Sequence, residues 1–294
     1  RFSASTELQV QFVWRDAFQK VVRMGEGDLR YESAAVLFNL AAGTSFAAIH
    51  TPRQDTERLK LACNLFQSTA GILELLLDHI SSAAWANRST VDLSPTALRT
   101  MRTLMLAQAQ RCYYERAVLD GLSPKLLSRI AAQLSLYYEQ ICTALRVSPL
   151  LGHMPSSWLT VCGWNRQMFE GMAHLHLAAI HAEEYEYGKQ VCRLQAARAL
   201  LKPPFEQSAK SELHITYKQA HEKVAAAAAL AERDNNTVYN ETVPALSSLP
   251  PLAPHAIVKP TPPPALLAPL AAEEDPFVHV VPQSVKAQLA GYDN

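Results

Sequence analysis

The 294-residue chain predicts a mostly α-helical fold, a bundle or a solenoid of stacked hairpins, with a short β element in front and a long extended segment behind. Three observations predict it. Long stretches with helical spacing run from about residue 31 to 236 and are interrupted only by short Pro, Gly and Asn clusters. Leu8, Val10 and Phe12 alternate with polar residues up to Trp14, as in a strand. Eleven of the 18 prolines lie between Pro244 and Pro282, where no glycine occurs.

Taken in order, residues 1–30 form an edge segment containing the strand. The chain opens on Arg1, so a true N-terminus further upstream is expected. Breaks at Thr51-Pro52, Asn87 to Ser94, Gly121 to Pro124, Ser148 to Pro155 and Pro203-Pro204 divide the rest. They give helices near 31–50, 53–85, 95–120, 124–147, 156–201 and 205–235. The third begins most clearly: Ser94 can cap the free N–H groups of the first turn, and Pro95 fits the first helical position. Ala107, Gln108, Ala109 and Gln110 follow where a simple core helix would carry Leu or Ile, so neighbours can approach closely and meet amides. Helix 124–147 shows one apolar stripe through Leu127, Ala131, Leu134, Tyr138, Ile141 and Leu145. A second line runs through Leu126, Ile130, Gln133 and Tyr137. Two readings of it stand: both stripes are buried between flanking helices, or Leu126 and Ile130 form an exposed patch for a partner helix. From residue 237 to 294 the prolines impose extended chain, which Val243, Leu246, Leu249, Ile257 and Val258 would lay along the helical body. Pro260 to Pro269 is expected as a mobile loop, and a short helix near Gln283 to Tyr292 ends the segment.

With 27 basic and 27 acidic residues and no basic run, the chain lacks the electrostatic footprint of a nucleic-acid binder. Cys63, Cys112, Cys142, Cys162 and Cys192 are widely spaced and read as buried thiols of a reducing compartment. No apolar stretch is expected to span a bilayer, Val224 to Leu230 being the type considered. Single glycines make no phosphate loop, no nucleophile sits in a strained elbow, and paired carboxylates such as Glu183-Glu184 lie in polar surroundings, so no enzyme is expected. His174, His181 and Glu184 fall on one helical stripe, which offers an incomplete ligand set from a single helix. Neither metal nor cofactor is expected; a helical metalloenzyme using these three residues is the competing reading from another class.

Five motifs then occur in order: Phe12-Val-Trp-Arg-Asp-Ala-Phe18, Tyr31 to Ala42, Asp92-Leu-Ser-Pro95 with Met105-Leu-Ala-Gln-Ala-Gln110, Asp234 to Pro244, and Val258-Lys-Pro260. In them the chain resembles the Bro-one domain of ALIX-type proteins over nearly its whole length. The resemblance implies an elongated helical solenoid with tetratricopeptide-like packing at its centre and a long extended segment packed along it. The family's first several dozen residues, and the domains that follow it in the full adaptor, have no counterpart. It further implies a non-enzymatic cytoplasmic adaptor, recruited to endosomes, that holds the C-terminal amphipathic helix of an ESCRT-III subunit and meets membranes only through partners. Carried over by residue, the patch is Tyr113, Leu126 and Ile130, with Lys60 as a flanking cation. Tyr113 stands where the family commonly has phenylalanine, Thr56 where it has an acid (Asp55 is adjacent), and Arg111 where it often has glutamate. The Thr56 and Arg111 differences motivate an alternative, a rhophilin-like or phosphatase-linked scaffold with another partner. Tyr239 matches a tyrosine that in animal members resembles a phosphorylation and docking site; the stronger reading is that it anchors the extended segment on the body through its hydroxyl.

Overall fold

The computed structural model describes residues 10–86, 90–147, 150–201 and 212–268. Two short strands, β1 (Phe12–Arg15) and β2 (Arg23–Glu26), pair antiparallel with Phe12 opposite Glu26 and Arg15 opposite Arg23. The expected strand is thus shorter than 8–14, its first two residues lying outside the described ones, and it gains a partner. No alternation in Arg23-Met-Gly-Glu26 announces that partner. Two aspartates fasten the hairpin to the turn before the third helix. Asp16 accepts the Val91 N–H at 2.6 Å, and Asp92 accepts that of Ala17 at 2.8 Å. Both are buried, and burial pushes the Asp92 carboxyl above its ordinary range against the hydrogen bonds from Thr90 and Ala17.

Among the described residues seven α-helices follow: α1 (Leu29–His50), α2 (Thr56–Ile80), α3 (Pro95–Leu119), α4 (Pro124–Leu145), α5 (Ser156–Glu183), α6 (Tyr187–Leu200) and α7 (Glu212–Asp234). Each packs chiefly on its neighbours in sequence, which is the arrangement of a solenoid. Side-chain caps start four of them. Asp28, Asp55, Ser94 and Ser123 each accept a backbone N–H of the first turn, and α3 and α4 both open with the Ser-Pro pair. The main core runs from the hairpin of α1 and α2 through to α7 and the strap residue Val258, and holds Tyr31, Phe66, Trp85, Leu98, Leu134 and Tyr138 at 2% exposure or less. Burying each aliphatic side chain of this kind contributes about 1.5–3 kcal/mol before entropy. A smaller cluster of Ala178, Val191, Leu194, Ala228 and Ala231 joins α5, α6 and α7.

Three expectations need correction. The single helix over 156–201 is broken after Glu183: Tyr185 takes a left-handed conformation, φ 60°, and the chain reverses without glycine or proline. Next, α1 is long and apolar enough by length and composition to cross a membrane, with only 22% of its apolar window buried. It lies in the helical body instead, packing on α2. Its turned-in face consists of Tyr31, Ala34, Ala35, Ala41 and Ala48, while Val36, Leu40, Phe46 and Ile49 remain exposed. Finally, Pro260 to Pro269 does not form a free loop where it is described: residue 261 is bonded to α2, and Pro264–Leu266 make a short 3-10 turn. The expected helix at 283–292 lies outside the described residues.

After α7 a five-residue π turn (Asn235–Tyr239) and a left-handed Asn240 redirect the chain. From there it runs as an extended strap back over the helices in reverse order. At α6, Glu241 accepts the Gly188 N–H at 2.7 Å and the buried Arg193 donates to the Pro250 carbonyl. At α4 the His255 N–H reaches the Arg129 carbonyl at 3.1 Å. On α3 the Gln110 amide donates to the His255 carbonyl at 2.9 Å and accepts the Ile257 N–H at 3.2 Å. On α2 the Gln67 side chain accepts the Lys259 N–H at 3.1 Å, and its backbone carbonyl accepts that of Thr261 at 3.0 Å. The extended, packed segment expected from composition is therefore present, and Gln110, placed in the small-and-amide run of α3, is one of its seats.

Candidate partner-binding cleft

Where the strap crosses α2 and α3 it leaves a cleft of about 280 Å³. Leu59, Cys63, Asn64 and Gln67 of α2 form one side, Cys112, Tyr113 and Arg116 of α3 another, and Ile257 and Val258 of the strap a third. Lys60 stands at its edge with an exposed side chain, 4.0 Å from Glu57. Arg116 adds a second cation, partly engaged by Asp120 at 3.2 Å. The cleft thus offers an apolar and aromatic floor with basic groups at the rim, which suits an apolar side chain flanked by acids. Burial pushes the Cys63 thiol up to about 11 and the Cys112 thiol to about 12, so both remain neutral and unreactive. All five cysteines are buried and free, as the sequence led one to expect.

Of the four residues assigned to the partner patch, Lys60 and Tyr113 come together in this cleft. Leu126 is half-buried in the first turn of α4 and packs against the core. Ile130 is a correction: it has no exposed surface, and Gln133 and Tyr137 further along the same line are buried too. The second stripe of α4 is therefore interior at these positions. Helical spacing shows that a face is apolar but not how many neighbours cover it. The strap, which meets α4 at Arg129, was one neighbour that spacing could not supply. The two sequence differences are also absorbed locally. Asp55 caps α2 by accepting the Arg58 N–H at 2.8 Å, and Arg111 is paired with Glu115 at 2.7 Å.

The histidine stripe does not assemble as spaced. His174 is buried, 3.4 Å from the Arg193 guanidinium. His181 and Glu184 instead gather with Glu186, their ligand atoms within 4.8 Å of one another. Glu186, however, is already engaged by the His181 ring at 2.7 Å and by the Lys189 ammonium. Both oxygens of Glu186 are thus held by cations or donors of the same chain.

Tyr239 is 43% exposed, and its ring stacks on Tyr187 with centroids 3.4 Å apart and planes 10° from parallel. The Tyr239 phenol beside it, ahead of desolvation, raises the Tyr187 phenol to about 12. The anchoring geometry is thus present, with the ring edge still accessible. In Tyr239→Phe the Tyr187 phenol should ionise closer to 10, visible as an earlier phenolate transition in an ultraviolet pH titration. An unchanged titration would show that the Tyr239 phenol group does not act on Tyr187 in solution.

Comparison with known proteins gives the cleft its context. The model of the BRO1-like domain matches residues 1–294. The chain is 28% identical over 297 residues to the human programmed cell death 6-interacting protein, covering 99% of this chain and 33% of that protein. It is 30% identical over 286 residues to the vacuolar-sorting protein BRO1 of Arabidopsis thaliana, covering 96% and 34%. It therefore spans about a third of the length of these relatives. Among solved structures, one described as an ALIX BRO1 CHMP4C complex superposes with a TM-score of 0.78 at 27% identity, covering 88% of this chain and 72% of that one. A helical solenoid closed by a reversed strap, and a family match that leaves no part of the chain outside it, have one explanation: the chain belongs to the BRO1-like domain family.

Proposed function

We propose that the chain is a non-enzymatic adaptor domain that binds the C-terminal amphipathic helix of an ESCRT-III subunit in the cleft between α2, α3 and the strap. In this reading it is recruited from the cytoplasm to endosomes through its partners and serves endosomal sorting and membrane remodelling. The observation that carries it is the convergence of Lys60 and Tyr113, two residues far apart in sequence, on one apolar cleft with a basic rim. The likeness to a BRO1 domain described in complex with CHMP4C supports the choice of partner. Leu126, half-buried in the first turn of α4, would add an apolar contact, whereas Ile130 has no exposed surface to offer a partner. Tyr239 would serve as a modification or docking site at the far end of the strap, separate from the cleft. No feature of the cleft favours a scaffold with another partner, since Arg111 is turned onto Glu115 and Asp55 onto the α2 backbone.

The test is fluorescence anisotropy with a labelled peptide from the C-terminal helix of CHMP4C. Tyr113→Ala should weaken binding about tenfold, and Lys60→Glu several-fold with a reduced salt dependence. Equal affinity for wild type and both variants would remove the cleft from the binding site.

A further inference from the structure

We infer that Gln110 is a positioning residue for this cleft: its buried side-chain amide fixes the strap wall, Ile257 and Val258, against which the partner helix must fit. The inference rests on the reading of the cleft as the ESCRT-III-binding surface.

Extended proline-rich chain makes no internal hydrogen bonds, so its place is set by what it is pinned to. Gln110 has no exposed surface and does not line the cleft. Both ends of its amide are spent on the strap, the Nε2 on the carbonyl of His255 and the Oε1 on the N–H of Ile257. Bonding the carbonyl of one residue and the N–H two residues on is how a strand grips a parallel neighbour, here imitated by a single side chain. Two residues later the strap meets a second grip, the Gln67 side chain on the Lys259 N–H. Ile257 and Val258 therefore lie between two fixed points on successive helices. A wall held this way is preorganised, and a partner does not have to order it on binding. Replacing Gln110 by an apolar residue leaves a part-buried carbonyl and N–H on the strap without these partners, which favours lifting that stretch toward water.

The experiment uses the same labelled CHMP4C peptide with Gln110→Leu, a wall-trimmed variant (Ile257→Ala with Val258→Ala) and the combination. Gln110→Leu is expected to bind about tenfold more weakly, with faster amide hydrogen exchange over residues 255–261 and a cooperative melt retained. In the wall-trimmed background the same substitution should cost less than about twofold, because the wall through which Gln110 acts has gone. Wild-type affinity in Gln110→Leu overturns the inference, as does an undiminished tenfold loss in the trimmed background, which would mark a general loss of stability. If Gln110→Leu does not fold, Gln110→Met decides. It is close to glutamine in volume and removes both grips, so a loss of affinity is expected and none overturns the proposal. Should Tyr113→Ala and wild type bind alike, the cleft reading itself falls and the inference with it; a Tyr113-sensitive site indifferent to Gln110 removes the inference alone.

Discussion

Replacing Gly71 by alanine is expected to lift the strap off α2. A Cβ built on Gly71 would stand 2.2 Å from the Pro262 nitrogen and 2.5 Å from the Thr261 carbonyl carbon, both backbone atoms of the strap. Neither can swing aside as a side chain would, and Pro262 is held within its ring. Helix propensity argues the other way: a mid-helix glycine is destabilising by roughly 0.5–1 kcal/mol relative to alanine. The steric term is larger, since forcing atoms into a closed contact typically costs about 1–3 kcal/mol and here also threatens the Thr261 hydrogen bond to Gln67. Urea unfolding should show a net loss of about 1–2 kcal/mol, and hydrogen exchange should show the Thr261 amide deprotected. Gly43 supplies the control, because a Cβ added there, on the exposed side of α1, would meet nothing within 4 Å. Gly43→Ala should be neutral or stabilising by up to about 1 kcal/mol. If Gly71→Ala matched it, the close crossing of strap and helix would not exist in solution.

Acid should destabilise the domain through two imidazoles, the buried His174 and the half-buried His176. Burial, with Arg193 adding to it, lowers His174 from 6.5 to about 4; burial and then Lys223 lower His176 to about 4. His176 also meets the Tyr114 hydroxyl at 2.8 Å. Both rings are neutral in the folded protein, whereas in the unfolded chain they take a proton as the pH falls through about 6.5. Their contribution is therefore complete above about pH 6.5, shrinks as pH falls, and is exhausted below about pH 4, where both states are protonated. The total is on the order of 3 kcal/mol for each ring. Tm measured from about pH 7 to about pH 4 should fall steadily, and His174→Gln should fall less steeply because only one imidazole then titrates. A flat Tm over this interval would mean that these rings are accessible to protons in the folded protein.

How much of this was legible in the chain depends on the range of the interaction concerned. Ser94-Pro95 and Ser123-Pro124 act within one turn, and both helix starts fall where the sequence puts them. The reversal at Tyr185 has no local signal, because tyrosine is among the residues least suited to a left-handed conformation. What stabilises it lies elsewhere in the chain: Tyr187 beneath Tyr239, and Gly188, whose N–H is taken by Glu241. Composition announced the strap as extended and packed, but nothing in Val258-Lys-Pro260 names Gln67 as its seat. At the cleft, Lys60 and Tyr113 were found through resemblance, whereas Arg116, Ile257 and Val258 became visible only when the strap was placed. Ile130 shows the complementary limit, since an apolar i to i+4 pair looks the same on paper whether its second member is open or covered.

The strap also sets an order of events while the protein is being made. Neighbouring helices can pair as soon as each emerges, because their contacts are local. The grips of Gln110 and Gln67 join residues 145, 147 and 192 positions apart. Closing so long a loop adds little entropy cost beyond that of a shorter one, but it cannot begin until the last partner has been synthesised. A nascent chain therefore carries α2 and α3 with their strap-facing side open until residues 255–261 have been made, and the cleft closes only after α7 has emerged.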